Sequence, residues 1–380
     1  MFLNILHMVK KMENILEIDL SSIEHNLSQI RGHVGHGSRI MGVVKSDAYG
    51  HGLLEVSKSL EKNGIDCLAV AHIHEALELR KQGIGLPVVI LCGLQSRSEA
   101  CAAVENGLTP VIFDFETAEI LSSEGLRRGK KISAYIKLDT GMGRLGIYHE
   151  EALSLLGKII PLRNIEVSGF FSHLSSADED TDLFTEKQIG YFKNVVKAGR
   201  SMGAGLPLNS LANSAGLISF KGAQWEMVRP GIILYGGLPR PDFSSPIPLR
   251  PAMRFRSRII QIREMPGKTP ISYGRTYYTQ GPRRIAVVSA GYGDGLPRGM
   301  SNRGSILIGG IPAPIRGRIC MNLTGCDITG IQGVRQGDDA VFLGTQGDNR
   351  ISADDMARWA LTISYELFCS LGRANKRIYL

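Results

Sequence analysis

The turn after one short apolar run decides between two fold classes for this chain. The run is Ile40–Val44, and it leads into Lys45-Ser46-Asp47-Ala48-Tyr49-Gly50. An open, doubly wound sheet usually carries Gly-x-Gly-x-x-Gly at this place, where glycines let the backbone approach a dinucleotide. A lysine among small residues stands here instead. The turn therefore favours a closed barrel over a doubly wound sheet.

Short apolar runs and longer amphipathic segments alternate from Ile40 to Gly236. Strands that alternate with helices are typical of parallel βαβ units. The eight apolar runs match the number of strands that closes a (β/α)8 barrel. These strand-like runs are Ile40–Val44, Cys67–Ala71, Pro87–Cys92, Thr109–Phe113, Ile132–Leu138, Ile165–Phe171, Leu206–Ser210 and Met227–Leu234. The helix-like segments include His72–Gly83, Arg97–Gly107, Phe115–Gly129 and Thr185–Gly203.

The sequence pattern changes after Gly236. Prolines at positions 239, 241, 246, 248 and 251 mark a linker, because proline neither donates to a ladder nor continues a helix. Beyond the linker, Gly and Pro turns separate short strand-like runs, as in an antiparallel β domain. These runs are Phe255–Ile262, Arg284–Ser289, Gly304–Ile308, Pro314–Ile319 and Ala340–Leu343. One helix is predicted over Ser352–Phe368, with Ser352 as its N-terminal cap.

The length of 380 residues also indicates more than one domain, since a domain usually has ~100–200 residues. We expect a disordered start at residues 1–12, a (β/α)8 barrel at residues 13–240 and a mainly antiparallel β domain at residues 241–380. The first twelve residues include Met8 and Met12 as alternative start positions, and their charges follow the apolar patch, unlike in a signal peptide.

Composition excludes several classes of function. The 44 basic and 36 acidic residues give a net charge of +8, but the basic residues are dispersed, which indicates a solvated surface and no nucleic-acid partner. The six cysteines form no CxxC pair, so we expect reduced thiols and no metal site. No apolar stretch reaches the ~20 residues that cross a bilayer. These features predict a cytoplasmic protein without a membrane partner.

Polar residues follow several of the predicted strands, and a barrel carries its chemistry at these C-terminal strand ends. They are Lys45, Arg144 after the fifth run, His173 after the sixth, Asn213-Ser214 after the seventh, and Arg229 with Gly231-Ile232 in the eighth. Each has a simpler explanation alone, such as a surface lysine or a helix cap. Together they suggest a desolvated lysine that forms a Schiff base, which points to pyridoxal phosphate, and loops that bind its phosphate.

Several motifs in both predicted domains resemble those of bacterial alanine racemases. The strongest is Val43-Val44-Lys45-Ser46-Asp47-Ala48-Tyr49-Gly50-His51-Gly52, which is similar to their pyridoxal-lysine motif. Further matches are Lys137–Gly146, Ala212-Asn213-Ser214, Val228–Gly231, Ile271–Gly274, Gly291–Gly295, Gly317–Met321 and Ser364–Leu367. The resemblance implies a pyridoxal-phosphate barrel followed by a β domain, and alanine racemisation that supplies D-alanine for peptidoglycan.

The resemblance also implies roles for individual residues. Lys45 should bind the cofactor and act as the base on one face of the substrate Cα, and Tyr273 should act on the opposite face. His173 and Arg229 should form a hydrogen-bonded chain beside Tyr273, with Arg229 against the pyridine nitrogen. Arg144 should lie near the cofactor oxygen and the substrate carboxylate. Other expected cofactor contacts are Tyr49, Asn213, Ser214, Gly231, Ile232 and Tyr365.

Three further expectations concern the substrate side. Tyr292 and Met321 should line the substrate pocket, and Lys137 is a possible carbamylated lysine. Members of the family are homodimers that take Tyr273 and Met321 from the partner subunit, so a shared active site is expected.

The chain departs from the family pattern after Met321, where Asn322 replaces the usual Asp, and at Arg373–Arg377, which lacks the usual Arg-Val-Pro-Arg. The first departure leaves open a broader-specificity or serine racemase. A pyridoxal-phosphate decarboxylase carries other motifs, and a non-catalytic pyridoxal-phosphate carrier lacks a second domain.

Overall fold

The computed structural model describes residues 14–34, 37–179 and 183–380. The predicted disordered start at residues 1–12 lies outside the described residues. Strand β1 (Ile15–Ile18) comes first and belongs to the second of two large sheets. In the described part of the chain, no helix has both the length and the apolar character needed to cross a membrane.

The first large sheet is parallel and curls into a barrel. Its strands are β2 (Arg39–Val43), β3 (Cys67–Val70), β4 (Val88–Ile90), β5 (Thr109–Ile112), β6 (Ile132–Asp139), β7 (Ile147–Tyr148), β8 (Ile165–Phe171) and β9 (Met227–Val228). Strands pair in the order β9-β2-β3-β4-β5-β6-β8, with β7 beside the end of β6. Single-residue bridges from Phe171 to Ser210 and from Ser210 to Met227 close the ring. The predicted (β/α)8 barrel is confirmed.

Two of the predicted strands are shorter than expected. In the run Leu206–Ser210 only Ser210 forms a bridge, because Pro207 has no N–H and the Asn209 side chain accepts the N–H of Phe170 at 2.9 Å. The run Met227–Leu234 is a strand only at Met227–Val228, and a 3-10 turn follows at Ile232–Tyr235. The two irregular segments leave their loops free to surround the mouth of the barrel.

Helices connect the strands of the barrel, and their buried side chains share one hydrophobic core with it. They are α1 (Leu20–Val34), α2 (Leu53–Lys62), α3 (Ile73–Lys81), α4 (Arg97–Glu105), α5 (Phe115–Arg128), α6 (Ala152–Ile159), α7 (Leu183–Ser201) and α8 (Ser214–Ser219). Their ends follow capping rules. The Asp114 side chain accepts from the Thr117 N–H at 2.7 Å at the start of α5, and Gly129 ends that helix at φ +64°.

The second large sheet is antiparallel except for the pairing of β1 with β19, and it forms the predicted β domain. Its strands after β1 are β10 (Met253–Met265), β13 (Arg283–Val288), β14 (Ser305–Ile308), β15 (Ile311–Pro314), β16 (Thr324–Asp327), β17 (Asp339–Gln346), β18 (Asn349–Ile351) and β19 (Arg377–Tyr379). A separate hairpin comprises β11 (Pro270–Ile271) and β12 (Tyr277–Tyr278). Because β1 pairs with β10, this strand belongs to the second sheet although it precedes the first strand of the barrel in the chain.

Two predictions for this domain are wrong. The expected helix Ser352–Phe368 is two helices, α9 (Ala353–Ala360) and α10 (Ser364–Ala374), because Leu361 adopts the left-handed conformation at φ +60°. The cap is as predicted, since the Ser352 hydroxyl accepts from the Asp355 N–H at 3.0 Å. Beyond Pro314 the run Pro314–Ile319 forms only a single bridge, from Ile315 to Cys326, because Gly317 turns the chain at φ +77°.

Candidate active site

A cavity of about 630 Å³ opens at the C-terminal ends of the barrel strands. It brings together eleven of the residues predicted from the sequence. They are Lys45, Tyr49, Lys137, Arg144, His173, Asn213, Ser214, Arg229, Gly231, Ile232 and Tyr365. Ten of them come from separate loops and strands of the barrel, so closure of the barrel places them around one space. Tyr365 is added from helix α10 of the β domain.

The loop that carries Lys45 has an unusual backbone. Four consecutive residues, Ser46 to Tyr49, have φ between +51° and +56°, so they form one left-handed turn. This conformation costs roughly 1–2 kcal/mol for each residue with a Cβ. Contacts from other elements hold it in place: Glu75 accepts the Ser46 N–H at 2.6 Å, and Arg377 forms an ion pair with Asp47. Strain of this kind is typical of functional sites.

Lys45 is half-buried at the start of this turn. Burial, together with the positive charge of Arg144, lowers the pKa of Lys45 below its ordinary value. A lysine with a lowered pKa has more of its amine in the neutral form, which is the form that attacks a carbonyl carbon. The electrostatics of this position therefore suit a nucleophilic lysine.

Lys137 is a second lysine at the cavity, and it is buried with only 6% of its surface exposed. Burial is the main reason why the pKa of Lys137 lies well below its ordinary value. The positive charges of Arg229, Arg144 and Lys45 lower this pKa further. Its Nζ lies 4.7 Å from the centre of the Phe171 ring. The side chain thus stays inside the site without an opposite charge beside it among the described residues.

Arg229 anchors the floor of the cavity. Its terminal nitrogens donate to the Ser210 hydroxyl at 2.7 Å, to the Ser172 carbonyl at 2.6 Å and to the Leu211 carbonyl at 3.1 Å. The guanidinium also stacks on Phe171, at 4.0 Å from the ring centre. Burial lowers the pKa of Arg229 to about 9, so the group remains charged at neutral pH.

The charges around the cavity favour an anionic ligand. Lys45, Lys137, Arg144 and Arg229 line it, and no carboxylate side chain does so in the part of the chain that the structure describes. Near the Ser214 hydroxyl, which accepts the Gly231 N–H at 2.9 Å, only a glycine fits at position 231. A Cβ there would lie 2.5 Å from the Tyr49 hydroxyl. These features describe a space shaped for an acidic group.

Three predicted residues lie away from this cavity. Tyr273, Tyr292 and Met321 are exposed on the β domain, with 71%, 43% and 58% of their surfaces accessible. Their loops are neighbours: the Tyr292 N–H donates to the Cys320 carbonyl at 3.0 Å, and the Ser272 hydroxyl donates to the Arg318 carbonyl. Within one chain they therefore form a second cluster, which does not line the cavity around Lys45.

Asn322, the departure from the family pattern, lies in this exposed cluster. Its amide donates to the Asp294 carboxylate at 3.2 Å, and the same carboxylate oxygen accepts the Gly291 N–H at 2.8 Å. An aspartate at position 322 would put a second negative charge beside Asp294. The amide therefore suits its immediate neighbour.

Sequence reasoning missed several residues that line the cavity, among them Leu91, Cys92, Gln95 and Phe171. Phe171 packs against both Lys137 and Arg229. Leu91 and Cys92 directly follow β4, and Phe171 ends β8. A rule that selects every residue at the C-terminal strand ends, apolar as well as polar, would have found all three.

The fold and site define a class: a (β/α)8-barrel enzyme with an appended β domain and a cavity lined by basic side chains, among them a lysine of lowered pKa. The family model for the alanine racemase N-terminal domain matches residues 18–239, and the model for the C-terminal domain matches residues 252–379. The chain belongs to the alanine racemase family, and it is an amino-acid racemase.

Individual relatives agree with this assignment. Alanine racemase 2 of Caldanaerobacter subterraneus is 42% identical over 96% of this chain and 94% of the relative. The alanine racemase of Syntrophobacter fumaroxidans is 41% identical over 94% and 95%. Among solved structures, the alanine racemase of Clostridium difficile has a TM-score of 0.88 at 34% identity, covering 97% of this chain and 95% of that one. The enzyme from D-cycloserine-producing Streptomyces lavendulae has a TM-score of 0.91 at 30% identity, covering 97% of both chains.

Proposed function

We propose that this chain interconverts L-alanine and D-alanine with pyridoxal 5'-phosphate as cofactor, using Lys45 and Tyr273 as its two bases. The observation that carries the proposal is the cavity in which the Lys45 amine, with its lowered pKa, meets three further basic side chains and no carboxylate of the described chain. Membership of the alanine racemase family supports alanine as the substrate.

The residues around the cavity fit this cofactor. Tyr49, Ser214 and Tyr365 supply hydroxyl groups to the same wall, and glycine at position 231 leaves room beside the Tyr49 hydroxyl. Ile232 begins a 3-10 turn, so its N–H has no partner within that turn and is suited to a phosphate oxygen. Asn213 caps α8 by accepting the Gly216 N–H at 2.9 Å, which fixes the loop that carries Ser214. Bound pyridoxal phosphate supplies an aldehyde for an amine and a conjugated ring that withdraws electrons from the substrate Cα.

The protein contributes binding, charge and proton transfer. Lys45 would bind the cofactor covalently while no substrate is present. Once the substrate amine has replaced it on the cofactor, the freed Nζ of Lys45 would hold the Cα proton on one face of the substrate. Arg144 would bind the substrate carboxylate. Arg229 would donate to the ring nitrogen of the cofactor, since the guanidinium stays protonated at neutral pH. We also propose that Lys137 is carbamylated, because a neutral buried amine can add carbon dioxide and release a proton to solvent, and the resulting carbamate anion would face the surrounding cations.

Racemisation needs a second base on the opposite face, and in this proposal Tyr273 of a partner subunit provides it. The exposure of Tyr273, Tyr292 and Met321 on one side of the β domain is consistent with a surface that covers the cavity of another copy. A homodimer with shared active sites would thus complete the substrate pocket. One base removes the Cα proton from one face of the substrate, and the second base delivers a proton to the opposite face.

The decisive experiment combines spectroscopy with product analysis. The purified chain should show an absorbance band near the edge of the visible range, as expected for a lysine-bound pyridoxal group. Borohydride reduction should remove this band and leave the cofactor attached irreversibly to Lys45. It should form D-alanine from L-alanine. L-serine tested alongside defines the substrate range that Asn322 leaves open. A colourless protein that takes up no cofactor, or a yellow protein that racemises no amino acid, would contradict the proposal.

We further propose that the enzyme works in the cytoplasm and supplies D-alanine for peptidoglycan. A bacterial strain that requires external D-alanine should grow without it when this chain is expressed. Expression of the Lys45→Ala variant should leave the requirement in place.

A further inference from the structure

His51 is a buried titratable residue with no part in the reaction as proposed. None of its surface is exposed, and its ring stacks on Tyr235 at 4.5 Å between centres and meets the edge of Phe368 at 4.9 Å. It lies two residues after the left-handed turn that follows Lys45. A polar side chain in such a place needs a partner, because burying an unpaired polar group is unfavourable.

The ring finds its partners in the turn itself. Nδ1 of His51 lies 3.1 Å from the carbonyl oxygens of both Ala48 and Tyr49. A carbonyl only accepts, so Nδ1 carries the hydrogen and donates to the two oxygens together. Nε2 has no hydrogen-bond partner among the described residues, and in the neutral ring it holds the lone pair because Nδ1 carries the hydrogen. One tautomer of the neutral imidazole meets these requirements.

The two carbonyls belong to residues in the left-handed conformation, at φ +51° for Ala48 and +54° for Tyr49. That turn sets the direction of both the Lys45 side chain at its start and the Tyr49 ring at its end. The Tyr49 ring in turn packs on Tyr235 at 5.0 Å, the same ring that supports His51. His51 and Tyr49 thus share one support and are linked through the backbone.

We propose that His51 is a positioning residue for cofactor binding: its Nδ1–H, given to the Ala48 and Tyr49 carbonyls, holds the left-handed turn that aims Lys45 and Tyr49 into the cavity. The inference rests on the proposed function, since it needs pyridoxal phosphate as the ligand. It assigns His51 no contact with cofactor or substrate. Loss of the donor lets the turn relax toward ordinary backbone angles, and cofactor affinity falls.

Three substitutions of His51 separate the effect of the hydrogen-bond donor from that of the aromatic ring. Asparagine places its amide nitrogen where Nδ1 stands, whereas glutamine places it one atom further, where Nε2 stands. Both lose the stacking on Tyr235, so the comparison between them isolates the donor. His51→Phe keeps the aromatic ring and removes the donor, which tests the same point with stacking preserved.

The experiment uses the full chain after removal of its cofactor. Absorbance titration measures the dissociation constant of pyridoxal 5'-phosphate, and thermal unfolding measures the midpoint temperature of each cofactor-free protein. We expect His51→Gln and His51→Phe to bind at least tenfold more weakly than the unchanged chain, and His51→Asn to stay within threefold. Equal affinities for all variants, or equal losses for Asn and Gln, would overturn the inference, as would losses that merely follow the thermal midpoints. Failure of the unchanged chain to bind the cofactor would instead refute the proposed function.

Discussion

Arg229 and His173 are directly joined: a terminal nitrogen of the guanidinium lies 3.3 Å from Nδ1 of the imidazole. Because arginine can only donate, Nδ1 of His173 accepts and its hydrogen sits on Nε2. Burial and the neighbouring positive charge of Arg229 both hold the pKa of His173 well below its ordinary value. A histidine fixed in one neutral tautomer can accept a hydrogen bond from an arginine that is charged at neutral pH and donate another through Nε2.

The first prediction concerns the protonation state of His173. The imidazole should remain neutral at pH values where a free histidine, with a pKa of ~6.5, is protonated. Arg229→Gln should raise the pKa of His173 because it removes a nearby positive charge, whereas Arg229→Lys should raise it less. NMR of histidine-labelled protein, assigned with His173→Asn, would measure this. Equal His173 pKa values in the two Arg229 variants would show that the charge of Arg229 has no influence.

The second prediction concerns space at Gly231. A Cβ at this position would meet the Tyr49 hydroxyl at 2.5 Å, and the Tyr49 ring is packed between Tyr235 at 5.0 Å and Tyr365 at 5.8 Å. Because the ring has little room to move away, Gly231→Ala should displace the hydroxyl and weaken pyridoxal phosphate binding at least tenfold. Gly222→Ala is the control, since its Cβ would have an ordinary contact at 3.5 Å. Unchanged binding by Gly231→Ala would mean that the hydroxyl does not contact the cofactor.

The third prediction is a pH dependence of stability. Burial lowers the pKa of His51 to about 3, so below pH ~6.5 the unfolded chain takes up a proton that the folded chain refuses. Stability should therefore fall as the pH drops, by about 1.4 kcal/mol per pH unit from this group. His51→Asn should lose that part of the slope in urea unfolding between pH 6 and pH 4. Parallel curves for the two proteins would contradict the shift.

The barrel and most of its site could be predicted from the sequence because periodicity and strand ends are local signals. The run Leu206–Ser210 has the composition of a strand, but Pro207 and the Asn209 side chain interrupt its ladder, and periodicity does not record such contacts. The break at Leu361 was hidden for a similar reason, since a left-handed leucine carries no Gly or Pro signal.

The site prediction had the same limit. The rule applied to the sequence selects polar residues that follow the strands, whereas Phe171 and Cys92 lie within strand-like runs and carry no such signal. The support that His51 gives to the turn depends on which carbonyls point toward its ring, and this geometry follows from the left-handed angles. In the proposed dimer, the place of Tyr273 relative to Lys45 is set by a second copy of the chain, which neither the sequence pattern nor one folded chain describes.

The last prediction tests whether the site is shared between subunits. Lys45→Ala should abolish racemisation because the covalent anchor is lost, and Tyr273→Phe should reduce it about 10²-fold or more because one base is lost. If the two residues of one site come from different subunits, a dimer of one variant with the other contains one intact site and one doubly altered site. Unfolding and refolding the two proteins together in equal amounts should form such mixed dimers in half of the molecules, which restores about a quarter of the activity of the unchanged enzyme.

Two controls accompany this experiment. Mixing Lys45→Ala with the unchanged enzyme gives the reference for refolding yield. Tyr278→Phe, which changes an exposed tyrosine of the same hairpin region, should remain active on its own. No recovery in the mixture, with full refolding in the reference, would place both bases of each site within one subunit.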